Sequence, residues 1–184
     1  MNSQNNLKLV LASLFAALCC VGTMLSFPTP NGGYIHPGDS MVLLTGIFLG
    51  PLYGGAAAGI GSALSDLLLG YVSYAPATLV IKTLVAMVAA FIFHSFMYKM
   101  KSMKLRTCLV IFCGIAGGIL VTGGYFLFES KILGLGLAAT ASILSNLIQN
   151  LFGIVLSALL FPVLYKIRVI SSCLPPKNST KGTN

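Results

Sequence analysis

Asp39, Asp66 and Glu129 are the only acidic residues among the 184 of this chain, and each lies at the edge of an apolar run or inside one. Lys82 stands alone in another such run, and Asn146, Gln149 and Asn150 are grouped in a third. Ionisable groups in apolar surroundings are costly and mark functional sites by default. Asn146 and Asn150 are four residues apart, which puts them on one helix face with Gln149 beside it. The chemistry open to such a set is recognition: amides and carboxylates orient a polar solute while aromatic rings stack on it. Catalysis is not indicated. There is no HExxH, no Ser/His/Asp set, no His/Cys cluster and no GxxxxGK[ST] loop, so neither an enzyme, a resident metal nor a cofactor is expected. The five cysteines include no CxxC and read as small apolar side chains.

The elements that hold these groups follow from composition. The chain is 57% hydrophobic and 8% charged, against about 25% charged in soluble domains. With a mean hydropathy of +0.94 it is expected to be one all-α membrane domain over residues 1–170, followed by a disordered cytoplasmic tail, 171–184. Apolar runs near 20 residues mark spans. Residues 9–25 form the first; a single preceding Lys and no clear cleavage site argue against a signal peptide. Residues 40–53 and 56–70 are short and are separated by Pro51, Gly54 and Gly55, which predicts two short or tilted helices joined by a tight turn; one long kinked helix is the alternative. Residues 76–98, 107–128 and 137–165 complete six transmembrane helices.

Nine of the eleven Lys and Arg residues fall near the start (Lys8), in one loop (Lys99, Lys101, Lys104, Arg106) or in the tail (Lys166, Arg168, Lys177, Lys181). Basic residues between apolar spans mark cytoplasmic loops, so this pattern excludes a nucleic-acid partner and makes the lipid bilayer the chain's surroundings. Both termini and the 99–106 loop then lie inside the cell, and only an even number of spans permits that. Asp39, Asp66, Lys82, Glu129 and the three amides consequently fall in the outer half of the membrane or near its middle. Tyr34, His36, Tyr71 and Tyr74 lie in the outer loops. The expected feature is a polar pocket open to the outside, suited to a small polar solute that contains a ring.

Structural roles compete with this reading. Asp66 and Lys82 are also a candidate structural ion pair. Glu129 beside Lys131 is equally a solvated loop pair, and the amides are equally interhelical glue. His94 is expected to be packed or interfacial, and His36 to be a lid contact or merely exposed. Small residues recur at spacings of four: Ala12 and Ala16; Gly46, Gly50 and Gly54; Ala57 and Gly61; Gly114 and Gly118. Such rows permit close helix contact, within the chain or with a partner subunit. The chain is small for a secondary transporter, shows no inverted repeat, and its apolar inner half does not suit a channel.

The stretch from Gly32 to Ala86, GGYIHPGDSMVLLTGIFLGPLYGGAAAGIGSALSDLLLGYVSYAPATLVIKTLVA, resembles the substrate-binding S components of energy-coupling factor (ECF) vitamin transporters, most closely the riboflavin-, pyridoxine- and hydroxymethylpyrimidine-type branch. The Ala12/Ala16 row is similar to that family's alanine motif. The resemblance implies a bacterial cytoplasmic-membrane subunit that captures a vitamin outside and docks on a transmembrane T subunit driven by two ATPase subunits. It also implies a substrate site at Gly38, Asp39, Tyr74, Lys82, Glu129, Asn146, Gln149 and Asn150, and T-subunit docking at Ala12 and Ala16. A stand-alone solute carrier and a structural subunit of a membrane complex are the rival readings.

Overall fold

The structure, a computed structural model, describes residues 3–28 and 34–175. It is all-helical apart from a two-residue antiparallel ladder, β1 (Phe27–Pro28) with β2 (Tyr34–Ile35), in the first connection. The long helices are α1 (Ser3–Met24), α2 (Gly38–Leu68), α3 (Ala75–Phe96), α4 (Met103–Leu127) and α5 (Ala141–Lys166); a short α6 (Arg168–Ser171) follows. Among the described residues, five helical segments are long and apolar enough to cross a membrane: Asn5–Met24, Gly38–Leu68, Ala75–Lys99, Met103–Ile132 and Gly136–Lys166. The chain is a multi-pass membrane protein.

The second of these segments is two helices. At Gly50 the backbone leaves the helix, with φ 83° and ψ 179°. Only glycine adopts that φ readily, and the residue before a proline is driven away from the helical region. Pro51 then opens the next helix, where its missing N–H costs nothing. A Cβ placed on Gly54 would stand 2.6 Å from the Thr45 carbonyl oxygen and 2.8 Å from the Gly46 Cα. Residues eight or nine apart in one straight helix are separated by about 12 Å or more, so the chain reverses at Gly50. The arms 38–49 and 51–68 are about 18 Å and 27 Å long at 1.5 Å per residue. The expected pair of short helices is therefore present, with the break at Gly50–Pro51 and not at Gly54 and Gly55. The expectation that Gly46, Gly50 and Gly54 line one helix face is corrected: Gly50 is the turn, and Gly54 faces Gly46 from the opposite arm.

This hairpin is the centre of the bundle. A Cβ on Gly46 would collide with the Ala86 backbone of α3, and one on Gly61 with the Ala16 backbone of α1. Gly117 of α4 lies against Val85 of α3, and Gly118 against Asn150 of α5. Successive rods thus run antiparallel. One end of the bundle gathers the end of α1, the start and end of α2, the start of α3, the end of α4 and the start of α5.

Reversal leaves a vacancy in the backbone hydrogen bonds. The Ile47 carbonyl would accept from residue 51, but Pro51 has no N–H. His94 Nε2 lies 2.8 Å from that carbonyl and supplies the donor. His94 is thus a packed residue that closes the hairpin turn. Phe48, Phe93 and Phe161 fill the core beside it, with centroids of Phe48 and Phe93 at 5.6 and 5.3 Å from Phe161. Ile170 and Cys173 are buried in the same core, so the chain stays packed past residue 170; residues 176–184 lie outside the described residues. All five cysteines are free; four are buried, as small apolar side chains are, and Cys108 is exposed. The outer faces carry exposed Leu, Ile, Val and Phe on every long helix, the surface a bilayer requires.

Candidate functional site

A cavity of about 410 Å³ opens at the end of the bundle away from Lys8, Lys99 and Lys166. All three acidic residues of the chain line it, together with Lys82. Asp39 sits in the first turn of α2, where a carboxylate is favoured by the helix dipole. Lys82 comes from the second turn of α3, and its Nζ contacts Asp39 Oδ1 at 2.5 Å, with the two side chains 7% and 9% exposed. The expected pairing of Lys82 with Asp66 is corrected by this contact: Asp39, at the start of the hairpin, takes the ammonium. Asp66 instead interacts with the Thr78 hydroxyl, and its Oδ2 has no hydrogen-bond partner. Thr78 Oγ1 also lies 2.9 Å from the Tyr125 hydroxyl, and Lys82 Nζ stands 5.6 Å from the Tyr125 ring centroid.

Glu129 lies in the π-helical turn Phe128–Ile132 that extends α4. It is 7% exposed and accepts from the Tyr74 hydroxyl at 3.4 Å, while Lys131 is exposed. The loop-pair reading of Glu129 with Lys131 is therefore overturned; Lys82–Asp39 is the ion pair found among the described residues. Burial, and then the Glu129 carboxylate, push the Tyr74 phenol above its ordinary pKa, so Tyr74 is a neutral donor.

The amides divide into three roles. Gln149 Oε1 accepts from the His36 backbone N–H at 2.9 Å, and its Nε2 donates to the His36 carbonyl at 3.0 Å. Gln149 thus clamps the connection between α1 and α2 onto α5 while lining the cavity. Nε2 is also 3.2 Å from His36 Nδ1, which then accepts and leaves the ring proton on Nε2. Burial lowers the His36 pKa, so the ring is neutral at pH 7. Asn150 lies outside this cavity. Its Nδ2 donates to the Gly118 carbonyl and to Thr122 Oγ1, both at 3.0 Å, tying α5 to α4. Asn146 lines the cavity and has no hydrogen bond among the described residues.

Of the eight sequence-derived substrate positions, Asp39, Tyr74, Lys82, Glu129, Asn146 and Gln149 line the cavity; Gly38 and Asn150 do not. Gly38 is a packing residue whose added Cβ would collide with Thr23 of α1. The Tyr34 side chain falls outside the described residues. Sequence reasoning missed Thr23, Ser26, Ser62, Thr78, Tyr125, Ser142 and Ser145. A usable signal existed: Ser62 precedes Asp66 by four residues, Thr78 precedes Lys82, Tyr125 precedes Glu129, Ser142 precedes Asn146 and Ser145 precedes Gln149. Polar pairs at that spacing point one face of each helix into a shared space. Ala12 is buried in the core and Ala16 lies over Gly61, so this row packs α1 on the hairpin.

A helical membrane bundle with a polar, ring-lined cavity at one end has the build of a membrane solute-binding subunit. The chain matches the family described as ECF-type riboflavin transporter, S component, over residues 3–166, and it belongs to that family. The family is one of substrate-binding membrane subunits for vitamin uptake, and not an enzyme family. A protein of Pyrococcus woesei described as an uncharacterized protein in gap 3′ region is 35% identical over 148 residues, covering 79% of this chain and 93% of that one. No solved structure matches the chain.

Proposed function

We propose that this chain captures a small vitamin or vitamin precursor, of the riboflavin, pyridoxine or hydroxymethylpyrimidine class, at the outer face of the cytoplasmic membrane. It then delivers the solute through an ECF T subunit energised by two ATPase subunits. The observation that carries the reading is the opposition of charge and cavity. The cavity holds every Asp and Glu side chain of the chain, while Lys8, Lys99, Lys101, Lys104, Arg106, Lys166 and Arg168 lie toward the other end, and only Lys82 and Lys131 of the described cations lie at the cavity end. Basic ends face the cytoplasm, so the cavity faces out and both termini face in. Gln149 holds the loop of His36 at the cavity mouth, the position from which a lid covers a bound solute.

Ala12 and Ala16 are proposed to bring the T subunit close to α1, with their present packing on the hairpin leaving Ala16 only partly covered. The test is purification of the chain from a membrane containing its energising module, with native mass spectrometry of the preparation. The expected result is co-purification of T and ATPase subunits and a bound small molecule. A chain that transports solute alone, with neither partner, favours the stand-alone carrier; one with partners but no solute in any preparation favours a structural subunit. Ala16→Leu is expected to impair assembly while sparing solute binding. Loss of binding with assembly intact assigns the row to internal packing alone.

A further inference from the structure

The cavity has an unusual charge balance for its protein. The chain carries a net charge of +8, yet the cavity is lined by three carboxylates and one lysine. Lys82 is matched by Asp39, which leaves Asp66 and Glu129 without a cation among the described residues. Neither is a solvated surface acid: Asp66 Oδ2 is buried and unpartnered, and Glu129 is 7% exposed with a phenol as its hydrogen-bond donor. A second, independent feature points to a missing ligand. Ser62 lines the same cavity, is 1% exposed, and its Oγ has no hydrogen-bond partner. Buried polar atoms are normally satisfied, so an unsatisfied one in a residue of the cavity wall marks the place of an absent donor or acceptor.

Aromatic rings complete the environment. Tyr71, Tyr74 and Tyr125 line the cavity, and tyrosine faces attract cations as well as rings. The cavity of about 410 Å³ is within the range that takes one small ring-containing solute.

We propose that the solute is a single-ring compound carrying a positive charge on an amine or ring nitrogen, received by Asp66 and Glu129, with Ser62 bonding a polar substituent. This rests on the reading of the chain as a solute-binding subunit and narrows its solute. An anionic phosphate ester is disfavoured, because the one lysine is already paired and two carboxylates would face the added charge.

The test uses the full chain in lipid nanodiscs and isothermal titration with matched probes that differ by one ammonium group. Pyridoxamine is compared with pyridoxine, and 4-amino-5-(aminomethyl)-2-methylpyrimidine with its 5-hydroxymethyl counterpart; riboflavin is titrated alongside. A charge-assisted hydrogen bond in a buried site is strong enough to give the ammonium member of at least one pair about tenfold or greater preference. Asp66→Asn and Glu129→Gln are expected to reduce that preference, read as the ratio of the two dissociation constants within a pair. The comparison within each pair on the unmodified chain needs no variant, so it stands even where a variant fails to fold. Equal or weaker binding of both ammonium members overturns the charge inference and leaves the solute-binding reading intact, as does tight binding of riboflavin alone. Binding of none of the five probes overturns both.

Discussion

Replacing Lys82 with Met probes the buried ion pair that organises the cavity floor. Lys82 and Asp39 join α3 to the start of the hairpin, and their side chains are 7% and 9% exposed. Lys82 contacts Asp39 through Oδ1, and Oδ2 has no hydrogen-bond partner, so removing the ammonium strands a buried carboxylate beside Gln149. Breaking a buried pair from one side costs about 3–5 kcal/mol. At about 2–4 °C per kcal/mol for a chain of this size, the midpoint falls by about 6–20 °C. The double variant Lys82→Met, Asp39→Asn removes both charges and leaves two neutral groups of nearly the original volume. It is expected to recover most of the loss, because a pair's desolvation cost nearly cancels its attraction. The chain has no tryptophan, so unfolding is followed by circular dichroism in detergent without added solute. Additive losses from the two single variants, with no recovery in the double, would refute the claim that the two charges act as a unit.

Three further outcomes follow from particular contacts. His94→Ala orphans the Ile47 carbonyl at the hairpin turn and is expected to cost about 1–3 kcal/mol by the same unfolding assay; His94→Gln keeps a donor and recovers part of it. Asn150→Ala removes both bonds to α4 and is expected to lower thermal stability while solute affinity, measured by titration, stays unchanged; a selective affinity loss would return Asn150 to the binding site. For His36 the folded pKa lies below the ordinary value, so its contribution is fully present above about pH 6.5 and declines as pH falls from there, because the unfolded chain takes the proton first. Unfolding midpoints between pH 7.5 and 5 should show a decline that is shallower in His36→Gln, and equal slopes would count against the neutral clamp.

Much of the architecture was legible from local features. Apolar runs of about 20 residues leave a chain few choices other than membrane helices, because a bilayer satisfies no backbone hydrogen bonds. A break near Pro51 was readable in the second apolar segment, because proline restricts its own φ and drives the residue before it out of the helical region; that Gly50 is the turn was not, since it reads as one of a row with Gly46 and Gly54. The depth of Asp39, Lys82, Glu129, Asn146 and Gln149 followed from their distance along each span, and these residues do line one cavity.

Partner choice was not legible, because it depends on which helix faces meet. Asp66 and Asp39 are equally available to Lys82 along the sequence; the hairpin's packing puts Asp39 within reach and leaves Asp66 with Thr78. Asn150 and Asn146 share a helix face by spacing, yet the approach of α4 at Gly118 takes Asn150 out of the cavity and leaves Asn146 in it. Gly46 and Gly54 read as one row until the reversal at Gly50 sets them face to face. The sequence by itself determined membrane helices, a break in the second apolar segment and the position of the polar groups along each helix, since these depend on near neighbours and on the solvent. Only the tertiary structure decided which charge is paired and which amide is structural, since those depend on contacts between residues far apart in the chain.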